Sequence, residues 1–196
     1  EISECLVGSE MCKETGWELI IVGLLCVLFA FLYTTGPYPL SYNGWGDVLV
    51  IVFFGFVPVG GTYYVQALTW TSDTTVASLI CGLLIDTLLV VNNYRDREAD
   101  ARSGKRTVIV RFGEKFGRYL YLMLGVAASL LCFWFFFEGH LFAALLPLLY
   151  LIPHVLTWRR MVQIHSGKKL NSILGETSRN MLLMGILLSI GFLIRH

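Results

Sequence analysis

Charge is what this sequence has least of. Only 15% of its 196 residues are Asp, Glu, Lys or Arg, and 56% are hydrophobic, where a soluble domain is about 25% charged and about 45–50% apolar. The shortage excludes an ordinary soluble fold and describes a membrane protein. The net charge of +1 names no partner, and no nucleic acid partner is expected. A secretory signal is also absent: the chain opens EISECLVGSEMCKETGWE, acidic where a signal needs a basic start. It lacks an initiator Met as well, which fits a processed chain or a piece of a longer one.

Metal and nucleophile signatures are equally scarce. Cys5, Cys12, Cys26, Cys81 and Cys132 form no C-x-x-C pair and no zinc spacing. The last three lie in apolar runs and read as packed small hydrophobes. Cys5 and Cys12 share a polar segment and read as free thiols, with a disulfide as the alternative. His140, His154, His165 and His196 are scattered, with loop or interfacial roles expected. There is no H-E-x-x-H and no G-x-S-x-G. SGKRT lacks the earlier Gly, and the Ser or Thr directly after Lys, that a phosphate-binding P-loop needs.

What the chain does have is long apolar runs. A bilayer core takes about 20 apolar residues as a helix. Six segments qualify: Trp17–Tyr33, Val48–Gln66, Thr74–Val91, Tyr119–Phe137, Leu141–Thr157 and Met181–Ile194. The runs are continuous rather than alternating, so helices are expected and a barrel is not. Pro58, Pro147 and Pro153 fall inside them, which membrane helices tolerate. The predicted fold class is therefore all-α and polytopic. Lys and Arg alternate by loop. Arg95, Arg97, Arg102, Lys105, Arg106, Arg111, Lys115 and Arg118 follow the third segment; Arg159, Arg160, Lys168, Lys169 and Arg179 follow the fifth. The loops between are nearly bare, and basic loops stay cytoplasmic. Both termini should then face outward. Trp17, Tyr33, Trp45, Trp70 and Trp158 sit near span ends, as an interfacial aromatic belt does.

The densest charge is NNYRDREADARSGKRT, Asn92 to Thr107. On a helix continuing past the membrane surface, Asp86, Asn93, Asp96, Arg97 and Asp100 share one face within about 100° of arc, with Arg95 pointing away. Two carboxylates and an amide make an oxygen-rich site for a hard cation. Mg²⁺ takes one or two carboxylates and leaves its other positions to water and phosphate. Lys105, Arg106 and Arg111 supply positive charge for phosphate oxygens. On spacing alone a second reading stands beside this one: a topology signal with a solvated mixed-charge helix. Asp86, seven residues before Asn93 and roughly 10 Å deeper, is either functional or a protonated or hydrogen-bonded residue that packs helices.

At these residues the sequence resembles a known family. Asn92-Asn93-Tyr94-Arg95-Asp96-x-x-x-Asp100, then Gly104-Lys105-Arg106-Thr107 and Val110-Arg111-Phe112-Gly113, is similar to the second aspartate-rich motif of the UbiA superfamily of intramembrane prenyltransferases. Tyr33 to Tyr42 and PVGGTYYVQ, from Pro58 to Gln66, resemble the branch that prenylates 1,4-dihydroxy-2-naphthoate on the route to menaquinone.

The resemblance implies nine helices around a cavity, with two aspartate motifs on cytoplasmic loops holding Mg²⁺ and a polyprenyl diphosphate. It implies Asp96 and Asp100 as catalytic, and Asp96, Asp100 and Asn93 as metal ligands. It places Asn92, Asn93, Arg97, Lys105, Arg106, Arg111, Tyr38 and Tyr42 around the substrates. Tyr42 stands where related enzymes can carry Lys. The implied reaction is prenyl transfer to 1,4-dihydroxy-2-naphthoate with decarboxylation, in the inner cell membrane, with Phe53, Phe54, Phe56, Tyr63 and Tyr64 offering π faces to the allylic cation. The alternatives are 4-hydroxybenzoate or homogentisate as acceptor, and, outside catalysis, a scaffold or transporter fragment. Six of nine helices are present and no N-D-x-x-D occurs. Residues 1–196 are therefore expected to be the C-terminal part of one transmembrane domain, inactive alone.

Overall fold

The structure is a computed structural model that describes residues 16–194. Cys5, Cys12 and His196 lie outside the described residues, so the expectations placed on them do too. Every regular element described is helical. In chain order they are α1 (Gly16–Thr34), α2 (Gly46–Ala67), α3 (Ser72–Arg102), α4 (Val108–Phe112), α5 (Glu114–Phe137), α6 (Leu141–Ile164) and α7 (Asn171–Leu193). All but the short α4 are long and apolar enough to cross a bilayer. The protein is a multi-span membrane protein, as the apolar runs predict.

Two boundaries differ most from the hydropathy pattern. α3 starts at its Thr71 cap, whose hydroxyl accepts from the Thr74 amide at 3.2 Å, and runs to Arg102, eleven residues past Val91. It stops because Gly104 takes φ +78° and the Lys105 amide folds back to the Asp100 carbonyl at 2.9 Å, a glycine C-cap. α7 begins at Asn171, not near Met181. Its first turns hold Glu176, Thr177 and Asn180, all buried. They are satisfied inside the bundle: Asn180 donates to the Thr157 hydroxyl at 2.9 Å and Thr177 meets the Tyr121 hydroxyl at 3.0 Å. Hydropathy counts such residues as loop because it cannot see their partners.

α3, α5, α6 and α7 close a four-helix ring, each packed on its neighbours. Its core has two halves. Tyr94, Tyr121, Met161 and Ile173 fill the end nearer the charged motif. Ile80, Phe135, Tyr150 and Met184 fill the other. His154, expected at an interface, is fully buried in the ring. Its imidazole stacks between Tyr121 and Tyr150 at 4.7 and 5.0 Å, and Nδ1 meets the Tyr150 hydroxyl at 2.9 Å. Gly125 leaves the space, since a Cβ there would strike the ring.

α2 lies against the outside of α3, and α1 touches α2 through Phe29 and Phe53, 5.2 Å apart. Pro58 cannot donate a ladder hydrogen bond, and α2 is wound as a wider π-helix over Ile51–Gly60. The crossing depends on two glycines. A Cβ on Gly55 would lie 2.8 Å from the Gly82 Cα, and one on Gly82 would lie 2.9 Å from the Ile51 Cα. In lipid, small residues let backbones approach and gain dispersion that apolar exchange with lipid does not supply. Gly82→Val should therefore separate α2 from α3 and destabilise the protein by about 1–3 kcal/mol, the range for overpacking. Gly61→Ala, where the added methyl meets nothing within 4 Å, should leave thermal stability in detergent unchanged. Equal melting of the two variants would contradict this packing.

Candidate functional site at the charged end of α3

The last turns of α3 carry Asn92, Asn93, Asp96 and Asp100. Three connecting segments meet there. The Arg106 amide donates to the Tyr42 carbonyl at 2.8 Å, and the Arg111 guanidinium donates to the Asn43 carbonyl at 2.7 Å. Those bonds pin the α1–α2 loop to the α3–α4 loop and to α4. The α1–α2 loop is itself shaped by Asn43, which donates to the Pro39 carbonyl at 2.8 Å. The α6–α7 connection joins through Arg97, which donates to the His165 carbonyl at 3.1 Å. The loops that the Lys and Arg count groups on one side of the membrane do come together at one end of the bundle.

Around the carboxylates the charges are paired. Arg95 Nε and Nη2 donate to Asp96 at 2.7 and 2.5 Å. The same guanidinium reaches Asn92 at 2.7 Å and Asn171 at 3.0 Å, so it ties α3 to the start of α7. Helix-wheel arithmetic turns Arg95 away from Asp96. The structure corrects that, because a long guanidinium stem wraps back across an arc that Cα positions cannot bridge. Lys105 Nζ sits 3.3 Å from Asp100. Asp96 is 39% exposed and Asp100 13%.

Arg97 is drawn elsewhere. It lies over the Tyr94 ring at 4.4 Å and pairs with Glu114 at 3.0 Å. Glu114 also holds Arg118 at 2.8 Å and His165 at 3.1 Å. This second knot fixes the N-terminus of α5. Arg97 thus braces α3 against the start of α5 and the α6–α7 connection. Tyr38 and Tyr42 are on the loop surface, both exposed, and the contact from Tyr42 to the site is through its backbone. Tyr63 and Tyr64 sit at the far end of α2, where Tyr64 donates to Glu18 at 2.5 Å.

Two further acidic side chains lie behind the motif. A crevice of only about 10 Å³ is lined by Tyr33, Ser41, Asp47, Asn93, Lys105 and Thr107, among others. Sequence reasoning misses Asp47, because its loop is weakly charged and carries no motif. Asp47 Oδ1 and Asp86 Oδ1 are buried with no hydrogen-bond partner among the described residues, and the two carboxyls are near enough to feel each other's charge. Asp86 is 1% exposed. Its packing role is therefore not a hydrogen-bonded one at that oxygen.

An apolar groove starts at the same end. Val50, Phe54, Leu88 and Asn92 line its mouth, about 520 Å³. Through the shared Ile85 and Ser178 it continues into a stretch of about 760 Å³ past Cys81, Met181 and Gly185. From Asn92 to Ala77 it follows α3 for about 22 Å at 1.5 Å per residue. It runs between α2, α3 and α7 on the outside of the four-helix ring.

The donor set limits the chemistry. No group of three or more His, Cys, Asp or Glu side chains converges among the described residues, so an all-protein metal cage is not present there. Two carboxylates a helical turn apart, flanked by amides and cations, fit a cation that shares its shell with phosphate.

The profile of the UbiA prenyltransferase family matches residues 5–191. The chain belongs to that family. A 1,4-dihydroxy-2-naphthoate octaprenyltransferase of Haemophilus influenzae is 38% identical over 181 residues, covering 88% of this chain and 56% of that protein. Proteins with the same description from Mycobacterium leprae and Escherichia coli are 44% and 40% identical over 113 residues, 58% of this chain and 38% and 36% of theirs. The chain spans about half or less of the length of these curated relatives. No solved structure matches it.

For this UbiA-family chain, the Arg95 contacts give a direct test. Arg95→Gln removes the link from Asp96 and Asn92 to Asn171, and Arg95→Lys restores charge but not a fork that reaches three partners. Both should lower thermal stability by about 1–3 kcal/mol, the range for lost charged hydrogen bonds. Rescue by Lys to the wild-type melting temperature would show that charge alone suffices.

Proposed function

We propose that the protein transfers a polyprenyl group from polyprenyl diphosphate to 1,4-dihydroxy-2-naphthoate, with loss of the carboxylate as CO₂ and release of diphosphate, to give demethylmenaquinol, the reduced form of demethylmenaquinone. The observation that carries this is a juxtaposition: an apolar groove ends at Asn92, and the same helix carries Asp96 and Asp100 one and two turns further on, each beside a cationic side chain. A polar diphosphate joined to a long hydrocarbon needs such a junction. Membership of the UbiA prenyltransferase family and the naphthoate-directed description of the relatives support the same reading.

Asp96, Asp100 and Asn93 would hold Mg²⁺, which supplies positive charge to the diphosphate as the leaving group. Lys105 and Arg95 turn their donors from the carboxylates to phosphate oxygens; Arg106 and Arg111 fix the loop that closes over them and add charge. Preorganised charges aimed at developing charge usually lower a barrier more than any other single effect. Phe54, which lines the groove mouth, offers a π face toward the allylic cation, and the apolar walls exclude water that would quench it. The electron-rich naphthoate ring then attacks the allylic carbon. The site loops face the cytoplasm across the inner membrane. The chain acts as one transmembrane unit.

Asp96→Asn and Asp100→Asn, in membranes that support turnover, should each reduce Mg²⁺-dependent diphosphate release by roughly 100-fold or more, the scale seen when one electrostatic catalytic group is lost. Detergent elution should be unchanged. With one polyprenyl diphosphate and a panel of acceptors, only 1,4-dihydroxy-2-naphthoate should be prenylated. Full turnover by either variant would remove the carboxylates from the site, and preference for 4-hydroxybenzoate or homogentisate would replace the acceptor.

A further inference from the structure

Arg179 belongs to the basic loop in the sequence, but α7 begins at Asn171. Arg179 is therefore eight residues into a spanning helix, about 12 Å along its axis. A charged side chain on a span faces a bundle interior, a partner or the headgroup layer. Arg179 instead lines a groove of about 620 Å³ between α6 and α7, with Arg159, Arg160 and Gln163 around it and Leu156 and Leu183 further toward the membrane middle. The neighbouring faces of these helices are occupied: α6 by α5, α7 by α3. The groove is thus on the outside of the four-helix ring and separate from the apolar groove of the proposed catalytic site.

The charges do not balance within it. Arg160 pairs with Glu176 at 2.5 Å, and Glu176 also accepts from Thr157 at 3.4 Å. Arg159 and Arg179 have no acidic partner among the described residues, so two positive charges remain. Below them Leu156 is 54% exposed and Leu183 37%. Cationic groups above, apolar surface beneath and an opening to the bilayer together match one ligand class. Basic pockets between membrane helices on the cytoplasmic side take anionic lipid headgroups.

We propose that this groove binds one anionic glycerophospholipid, its phosphate between Arg159 and Arg179 and an acyl chain along Leu156 and Leu183. A free phosphate would use the arginines and leave the leucines bare. The site does not depend on the catalytic reading, because its ligand is a bulk membrane lipid.

The test is native mass spectrometry of the purified protein equilibrated with equal amounts of phosphatidylglycerol and phosphatidylcholine. One phosphatidylglycerol per chain should be retained in preference. Arg159→Gln with Arg179→Gln should cut that preference roughly 30-fold, and Arg179→Gln alone about fivefold, from the attraction each basic residue adds near an anionic surface. Lys168→Gln with Lys169→Gln, on the adjoining loop, should leave it intact. Helicity and elution volume check folding. Equal retention of both lipids, retention by the double arginine variant, or equal loss in the lysine variant would overturn the proposal. So would displacement of the lipid by millimolar inorganic phosphate, which would assign the arginines to a free anion; occupation of the groove by another part of the protein would appear as no lipid preference at all.

Discussion

The structure depends on a mismatch of length. α3 has 31 residues, about 46 Å of helix, against a hydrocarbon core of about 30 Å. Its apolar part can satisfy itself in lipid only as helix, and the remainder, from Asn92 onward, must stand outside it. A single rigid element thus carries charged side chains from the membrane surface without a flexible joint. Gly104 ends it abruptly, which brings Lys105 back over Asp100.

Once that end is fixed, the electrostatics divide into two knots with different fates. The Glu114 knot joins Arg97, Arg118 and His165. It locks α5 and the α6–α7 connection to α3. The Arg95–Asp96 and Lys105–Asp100 pairs lie on the turns of α3 just beyond Asn92, where the apolar groove ends. As isolated, partly exposed pairs they contribute little; Arg95 adds to stability through its further bonds to Asn92 and Asn171. Asp47 and Asp86, with an unpartnered oxygen each, extend the acidic character inward, where a lone carboxyl in a membrane is expensive.

Much of this is legible in the residues. Six apolar runs give six long helices, and the basic loops they separate do gather at one end. The Asn-Asn-x-x-Asp-x-x-x-Asp spacing points to the α3 end by itself. What the residues do not reveal depends on long side chains and tertiary partners. Arg95 reaches back to Asp96 because its stem spans an arc that the helical wheel leaves empty. Arg97 shares the wheel sector of the carboxylates yet is captured by Glu114, seventeen residues away in sequence. The start of α7 is hidden because Glu176, Thr177 and Asn180 look like loop until Thr157, Arg160 and Tyr121 are placed against them. His154 reads as interfacial for the same reason, its two tyrosine neighbours being distant in sequence or one turn away.

The central claim is that Asp96 and Asp100 grip a divalent cation together with a diphosphate. Electron paramagnetic resonance of Mn²⁺ in place of Mg²⁺ tests it most directly, with the protein in lipid nanodiscs and a non-hydrolysable polyprenyl diphosphonate. Mn²⁺ should be immobilised only when the diphosphonate is present, and the signal should revert to free Mn²⁺ in a protein carrying both Asp96→Asn and Asp100→Asn. Equal immobilisation by the doubly substituted protein would contradict it.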